Sequence, residues 1–133
     1  MVSFDTFTRT GSAPLYTQIV LFIQRAIAAG TICSGDELPS RRVLSALLGV
    51  NPNTVQKAYR ILEDGGLIQS HSGAKSCVSA TPEQREQIQA RLLAEDVRQL
   101  VRALRQSGVG KTEALALVER LWEEDTMTEG DLP

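Results

Sequence analysis

Residues 40–64 hold two short helical patterns separated by only three residues, Gly49-Val50-Asn51, and that spacing limits the fold more than anything else in the chain. Ser40 is an N-cap, since its hydroxyl can accept from an otherwise unbonded backbone N–H. The apolar side chains Leu44, Leu47 and Leu48 follow it, and Gly49 stops the helix after about two turns. Val50 reads as a short apolar plug. Asn51 caps the next helix, 52–64, with Pro52 at the first helical position, where a missing N–H costs nothing. Val55, Ala58, Tyr59 and Leu62 are spaced i, i+3, i+4, i+7 and predict one buried stripe. Gly65-Gly66 ends this helix. Two short helices joined so tightly predict a helix-turn-helix.

The flanking segments supply the rest of a small domain. Residues 1–13 are polar and predict no regular structure. Leu15, Ile19, Phe22, Ile23, Ala26 and Ile27 predict a helix over 15–29, stopped by Gly30. Ser34-Gly35-Asp36 is turn chemistry. Residues 67–70 and 75–79 flank the turn cluster His71-Ser72-Gly73-Ala74 and predict a small β-hairpin. From Thr81 the pattern changes: Thr81-Pro82-Glu83-Gln84 is a capping box. A long helix over 82–106 follows, with Ile88, Leu92, Leu93, Val97, Leu100, Val101 and Leu104 on a broad apolar face. Thr112 is read as the cap of a last helix whose inward side chains are Leu115, Val118, Leu121 and Trp122, and whose acidic end frays from about Asp125. The expected fold is mainly α: a winged helix-turn-helix over 1–80 with a β-hairpin wing, then a two-helix tail over 81–133.

Charge distribution points to the partner. The whole chain of 133 residues carries −2, but residues 1–80 carry +2 and the tail −4. A weakly basic domain can meet an anion while an acidic tail stays clear of it. The second helix of a helix-turn-helix enters the DNA major groove with its N-terminal residues at base edges, and its first N–H groups and dipole face phosphate. The groove-facing side of 52–64 holds Asn53, Thr54, Gln56, Lys57 and Arg60. Asn and Gln offer paired donors and acceptors to adenine, and Lys and Arg meet guanine or phosphate. No acid interrupts that face before Glu63.

The run Pro14-Leu15-Tyr16, Gln18-Ile19, Gly30, Gly35-Asp36, Leu38-Pro39-Ser40, Arg42, Leu44, Val50-Asn51-Pro52-Asn53-Thr54-Val55, Lys57-Ala58-Tyr59, Leu62-Glu63 and Gly66-Leu67-Ile68 resembles the GntR family of bacterial transcription regulators. The short two-helix tail is similar to that of its YtrA subfamily. The resemblance implies a homodimeric repressor of its own operon and of an adjacent transporter operon. Two cysteines without a pairing pattern make a cytoplasmic location the default, and two-fold pairing of recognition helices one DNA turn or a multiple apart leads to the expectation of a palindromic operator. The resemblance places DNA contacts on Arg42, with Ser40 beside it, on the stretch from Asn51 through Lys57, and on the wing-tip glycine Gly73. The residues themselves add Arg60 on the groove-facing side, Arg41 next to Arg42, Ser72 beside the wing turn, and Lys75, whose charge suits phosphate. The family wing has a second glycine and an aromatic where this chain has Lys75 and Cys77. The tail's apolar side chains are more than one short partner helix covers, so Leu92, Leu93, Val97, Leu100, Val101, Leu104, Leu115, Val118, Leu121 and Trp122 are expected to form a dimer interface with a second copy; the alternative is that both helices pack back on their own winged domain.

Other chemistries find little support. Cys33 and Cys77 have no metal-ligand spacing and read as small buried residues. The single histidine, His71, reads as a solvated loop side chain. Gly110-Lys111-Thr112 ends like a phosphate-binding loop, but the pattern needs glycine where Arg105 stands. No nucleophile, base and orienting group can be assembled, so neither enzyme activity nor a metal or cofactor is expected. No run of about 18 apolar residues exists to cross a membrane, and no secretory signal is visible. Nothing marks an effector pocket. The competing reading is a winged-helix adaptor that binds protein instead of DNA.

Overall fold

The stripe beginning at Leu15 forms α1 (Leu15–Ala29), which buries Ile19, Val20, Ile23, Ile27 and Ala28 and ends at Gly30 in a left-handed turn, φ 78°. The computed structural model describes residues 1–71 and 75–131. It divides into two compact units, Met1–Leu92 and Leu93–Pro133.

In the first unit α1 is followed by β1 (Glu37–Leu38), α2 (Arg41–Leu48), α3 (Pro52–Asp64), β2 (Ile68–His71), β3 (Lys75–Val78) and the first turns of α4 (Pro82–Gln106). The strands form an antiparallel sheet in the order β1-β3-β2. Ile68 faces Val78 and His71 faces Lys75, while Leu38 faces Ser76. The hairpin is therefore present, and a third strand lies beside it where the sequence shows only a turn. Two residues carry no periodicity, so β1 had no pattern to reveal it. It is fixed from outside: Val2 donates its N–H to the Glu37 carbonyl (2.7 Å), and Val78 donates to the Asp36 carbonyl (2.8 Å).

The core gathers around the predicted stripe of α3. Val55, Ala58, Tyr59 and Leu62 are all buried, with Leu38, Leu44, Leu67, Ile68 and Val78 around them. Each buried Val, Leu or Ile among them contributes roughly 1.5–3 kcal/mol. The N-terminal segment also joins this core, against expectation. Val2 and Phe4 are buried, Phe4 stacks on Phe22 at 5.0 Å, and Phe7 meets Phe22 edge-on at 5.5 Å. Gln18 anchors the same segment by accepting from the Thr10 N–H and donating to the Ala13 carbonyl.

Other expectations change. Leu47 is 67% exposed; the α2 side chain buried beside Leu44 is Ser45, whose hydroxyl donates to the Val50 carbonyl at 2.6 Å. Cys33 is exposed and Cys77 half-buried. The capping box closes as predicted, the Thr81 N–H donating to Gln84 Oε1 and the Gln84 N–H to Thr81 Oγ1. The first turns of α4 then pack within the winged unit: Ile88 and Leu92 are buried, and Arg85 donates to the Ala28 carbonyl at the end of α1.

The second unit is the rest of α4, a turn at Gly108 (φ 76°) and α5 (Lys111–Asp131). Thr112 lies inside α5 and does not cap it, because the helix starts one residue earlier. The helix also continues to Asp131, past the expected fraying point at Asp125.

Candidate nucleic-acid interface

The turn between α2 and α3 is built from three local devices. Gly49 takes a left-handed conformation, φ 65°, and returns its N–H to the Ser45 carbonyl. Ser45 holds Val50 in place from its side chain. Asn51 Oδ1 accepts from the Asn53 N–H at 2.8 Å, while its carbonyl accepts from Thr54. The Asn53 and Thr54 donors are thus used internally and Pro52 has none. The start of α3 offers its dipole and side chains to an anion, in place of the free N–H groups anticipated there.

Asn53, Gln56, Lys57 and Arg60 are exposed and line one shallow groove of about 420 Å³ with Ile61 and Asp64. Thr54 is half-buried at its edge. The first acid along this groove is Asp64; Glu63 points elsewhere, into an ion pair. Lys57 is not left to swing in solvent: its Nζ sits 4.0 Å above the Tyr16 ring, so α1 holds a cation of the groove. No sequence spacing links Tyr16 to Lys57, and only the tertiary fold reveals the pair.

At the start of α2, Ser40 Oγ accepts from the Val43 N–H at 3.2 Å. Arg42 is exposed beside it. Arg41 differs sharply. Its Nη2 donates to Glu63 Oε1 at 2.6 Å, and its guanidinium lies 5.3 Å from the centre of the Tyr59 ring. Tyr59 is fully buried, and its hydroxyl donates to the Pro39 carbonyl at 2.6 Å. Burial pushes the Tyr59 phenol well above its ordinary value, and Arg41 offsets part of that rise. Arg41 therefore serves the fold, tied between two helices.

In the wing, Lys75 and His71 face each other across the hairpin and both are exposed. Ser72 and Gly73 lie outside the described residues.

The apolar residues assigned to the tail divide into two groups. Leu92 belongs to the core of the winged unit, which corrects its assignment to an interface. Leu93, Val97, Leu100, Val101, Leu115, Val118, Leu121 and Trp122 are all exposed, from 39% at Val118 to 73% at Trp122, and Leu104 is half-buried. In the second unit α4 and α5 flank an open trough of about 620 Å³, whose walls include Val97, Leu100, Val101, Leu104, Leu115 and Val118.

The family model of the bacterial regulatory proteins of the gntR family matches residues 15–78, from α1 through the wing. The repressor YtrA of Bacillus subtilis is 40% identical over 68 residues, which are 51% of this chain and 52% of that one, so the match spans about half that relative's length. A GntR family transcriptional regulator from Listeria monocytogenes has a similar structure, with a TM-score of 0.75 at 30% identity, over 84% of this chain and 98% of the other. YtrA from Sulfolobus acidocaldarius, a GntR-family transcription factor, gives 0.54 at 33% identity, over 74% and 99% of the two chains.

Proposed function

Because the chain belongs to the GntR family, a family of winged-helix transcription regulators and not of enzymes, we propose that it is a homodimeric repressor that reads a palindromic DNA operator with α3. One observation carries the reading. Asn53, Gln56, Lys57 and Arg60 form an exposed polar face on a helix whose opposite face is buried at Val55, Ala58, Tyr59 and Leu62. A side chain that reaches a base edge must stand on such a rigid support. Asn53 and Gln56 supply amide pairs suited to adenine, and Lys57 and Arg60 supply cations suited to guanine or phosphate. Ser40 and Arg42 approach the backbone beside them, and Lys75 reaches it from the wing.

The tail supports the dimer. Eight exposed apolar side chains on α4 and α5 are too many for a small helical pair to leave in water. A second copy of the same face covers them around a two-fold axis. Two recognition helices then stand one DNA turn or a multiple apart, which requires an operator with matching two-fold symmetry. Likeness to a YtrA repressor supports repression as the outcome of binding. Control of the chain's own operon and of an adjacent transporter operon is the part of this reading that rests on the sequence resemblance alone.

Titration of a fluorescent duplex from the chain's own promoter region tests this, measured at several salt concentrations. The expected result is binding that weakens steeply with salt, because cations that neutralise phosphates release counterions, and that favours the promoter over a scrambled duplex. Salt-independent binding, or none, would leave the winged fold as a protein adaptor.

A further inference from the structure

Glu63 sits where three elements meet. Its Oε1 accepts from Arg41 Nη2, at the first residue of α2, and from the Ser70 hydroxyl in β2. Glu63 itself stands in the last turn of α3. Arg41 is additionally held over the Tyr59 ring, and its Nε is buried without a hydrogen-bond partner among the described residues. The charge-assisted bond to the carboxylate at its other edge, stronger than a neutral one, offsets that loss. Ser70 faces Ser76 across the hairpin, and their hydroxyl oxygens are 3.5 Å apart. Ser76 is fully buried and lies opposite Leu38 of β1. The contact made by Glu63 therefore continues from the helices across the whole sheet.

We propose that Glu63 is a positioning residue that locks the wing to the recognition helix, joining Arg41 and Ser70 through one carboxylate oxygen. The inference rests on the DNA-binding reading and deepens it. Lys75 lies five residues from Ser70 in the chain and opposite His71, one residue along the same strand. Where Lys75 stands relative to Asn53 and Lys57 is set through this clasp. The carboxylate also neutralises Arg41, so a cation beside the groove is kept from phosphate and the net attraction falls on Arg42, Lys57, Arg60 and Lys75. Recognition then demands that helix and wing fit the duplex together.

The test combines Lys75→Ala with Glu63→Gln and with Ser70→Ala in the full-length chain. Ser70→Ala removes only the wing side of the clasp, and Glu63→Gln keeps its size while removing the charge. In the parent chain Lys75→Ala lowers the slope of log affinity against log salt by about one. In either clasp variant the same substitution is expected to change the slope by much less than that, because the wing no longer holds Lys75 at the backbone. Base discrimination lost on Asn53→Ala stays the same in both variants. An equal Lys75 effect in all backgrounds overturns the proposal. A second readout separates this from failure of the DNA reading: hydrogen exchange at the amides of Ile68–His71 and Lys75–Val78, measured without DNA. Exchange several-fold faster in both variants supports the clasp whatever the chain binds, and unchanged exchange refutes it.

Discussion

Removing the Tyr59 hydroxyl should cost more than its single hydrogen bond suggests. The oxygen is buried and donates to the Pro39 carbonyl at 2.6 Å. Pro39 is itself buried and sits in the short link between β1 and α2. In Tyr59→Phe the ring still fills its space and still underlies Arg41, so no large cavity opens. The net worth of such a bond is roughly 1 kcal/mol, but removing only the donor leaves a buried carbonyl unpaired, and that costs about 1–3 kcal/mol instead. We expect a loss of about 2 kcal/mol. At about 4–8 °C per kcal/mol for a unit of this size, the melting temperature falls by roughly 8–16 °C. Thermal unfolding followed by circular dichroism measures this. The pH dependence gives an independent check. Because the folded-state phenol is raised above its ordinary value of 10.0, the unfolded chain ionises first as pH rises. The parent chain therefore loses stability above about pH 10, and its advantage over Tyr59→Phe shrinks there. A melting temperature unchanged by the substitution at neutral pH would refute the reasoning, since it would mean that the Pro39 carbonyl finds another donor or reaches water.

Asn53→Ala should cost about 1–3 kcal/mol on the cognate duplex and relax preference at one base position, seen by titrating single-base variants of the operator. Arg42→Ala should weaken cognate and scrambled duplexes together and lower the salt slope by about one, as measured by fluorescence anisotropy. Val101→Asp should turn the dimer into a monomer by light scattering while the melting of the winged unit stays unchanged, because Val101 is 41% exposed and outside that unit's core. A chain ending after Ala80 should lose stability that one ending after Asp96 keeps, as measured by urea denaturation.

Most of the fold was legible because its elements carry their own punctuation. Gly30, Gly49 and Gly65-Gly66 mark helix ends, and Pro52 and Pro82 mark starts. The buried stripe of α3 followed from a period that leaves little choice once one face is apolar. The misses share another cause, which is dependence on distant partners. Phe4 and Phe7 sit in a polar stretch with no period, and only the facing Phe22 makes them core. Leu47 fits the α2 stripe on paper, yet eight residues make barely two turns. Ser45, which has a hydrogen bond to make, takes the inner place. At the candidate site the polar face of α3 was readable as the complement of the stripe. Arg41 looked equivalent to Arg42 because both follow Ser40. A difference of one position in a helix turns a side chain by about 100°, and that turn takes Arg41 onto Tyr59 and Glu63 while Arg42 faces water.

The same rotation explains why the long helix cannot be assigned whole to the tail. Ile88 and Leu92 are one turn apart and buried in the winged unit, and the next place on that line is Asp96, where the apolar run stops. Leu93, Val97, Leu100, Val101 and Leu104 follow a second line that begins about 100° away. One helix thus carries two apolar faces in succession, the first for its own domain and the second left in water by the single chain. Removing everything after Ala80 strips Ile88 and Leu92 from the core, at roughly 1.5–3 kcal/mol each. It also removes the Arg85 contact with the end of α1. Against a typical total of about 5–15 kcal/mol that loss endangers the fold. A monomer obtained in that way would therefore say nothing about the interface. Ending the chain after Asp96 keeps the first face complete and deletes all of the second except Leu93. If that shorter chain is folded and still dimeric, the second face does not make the dimer.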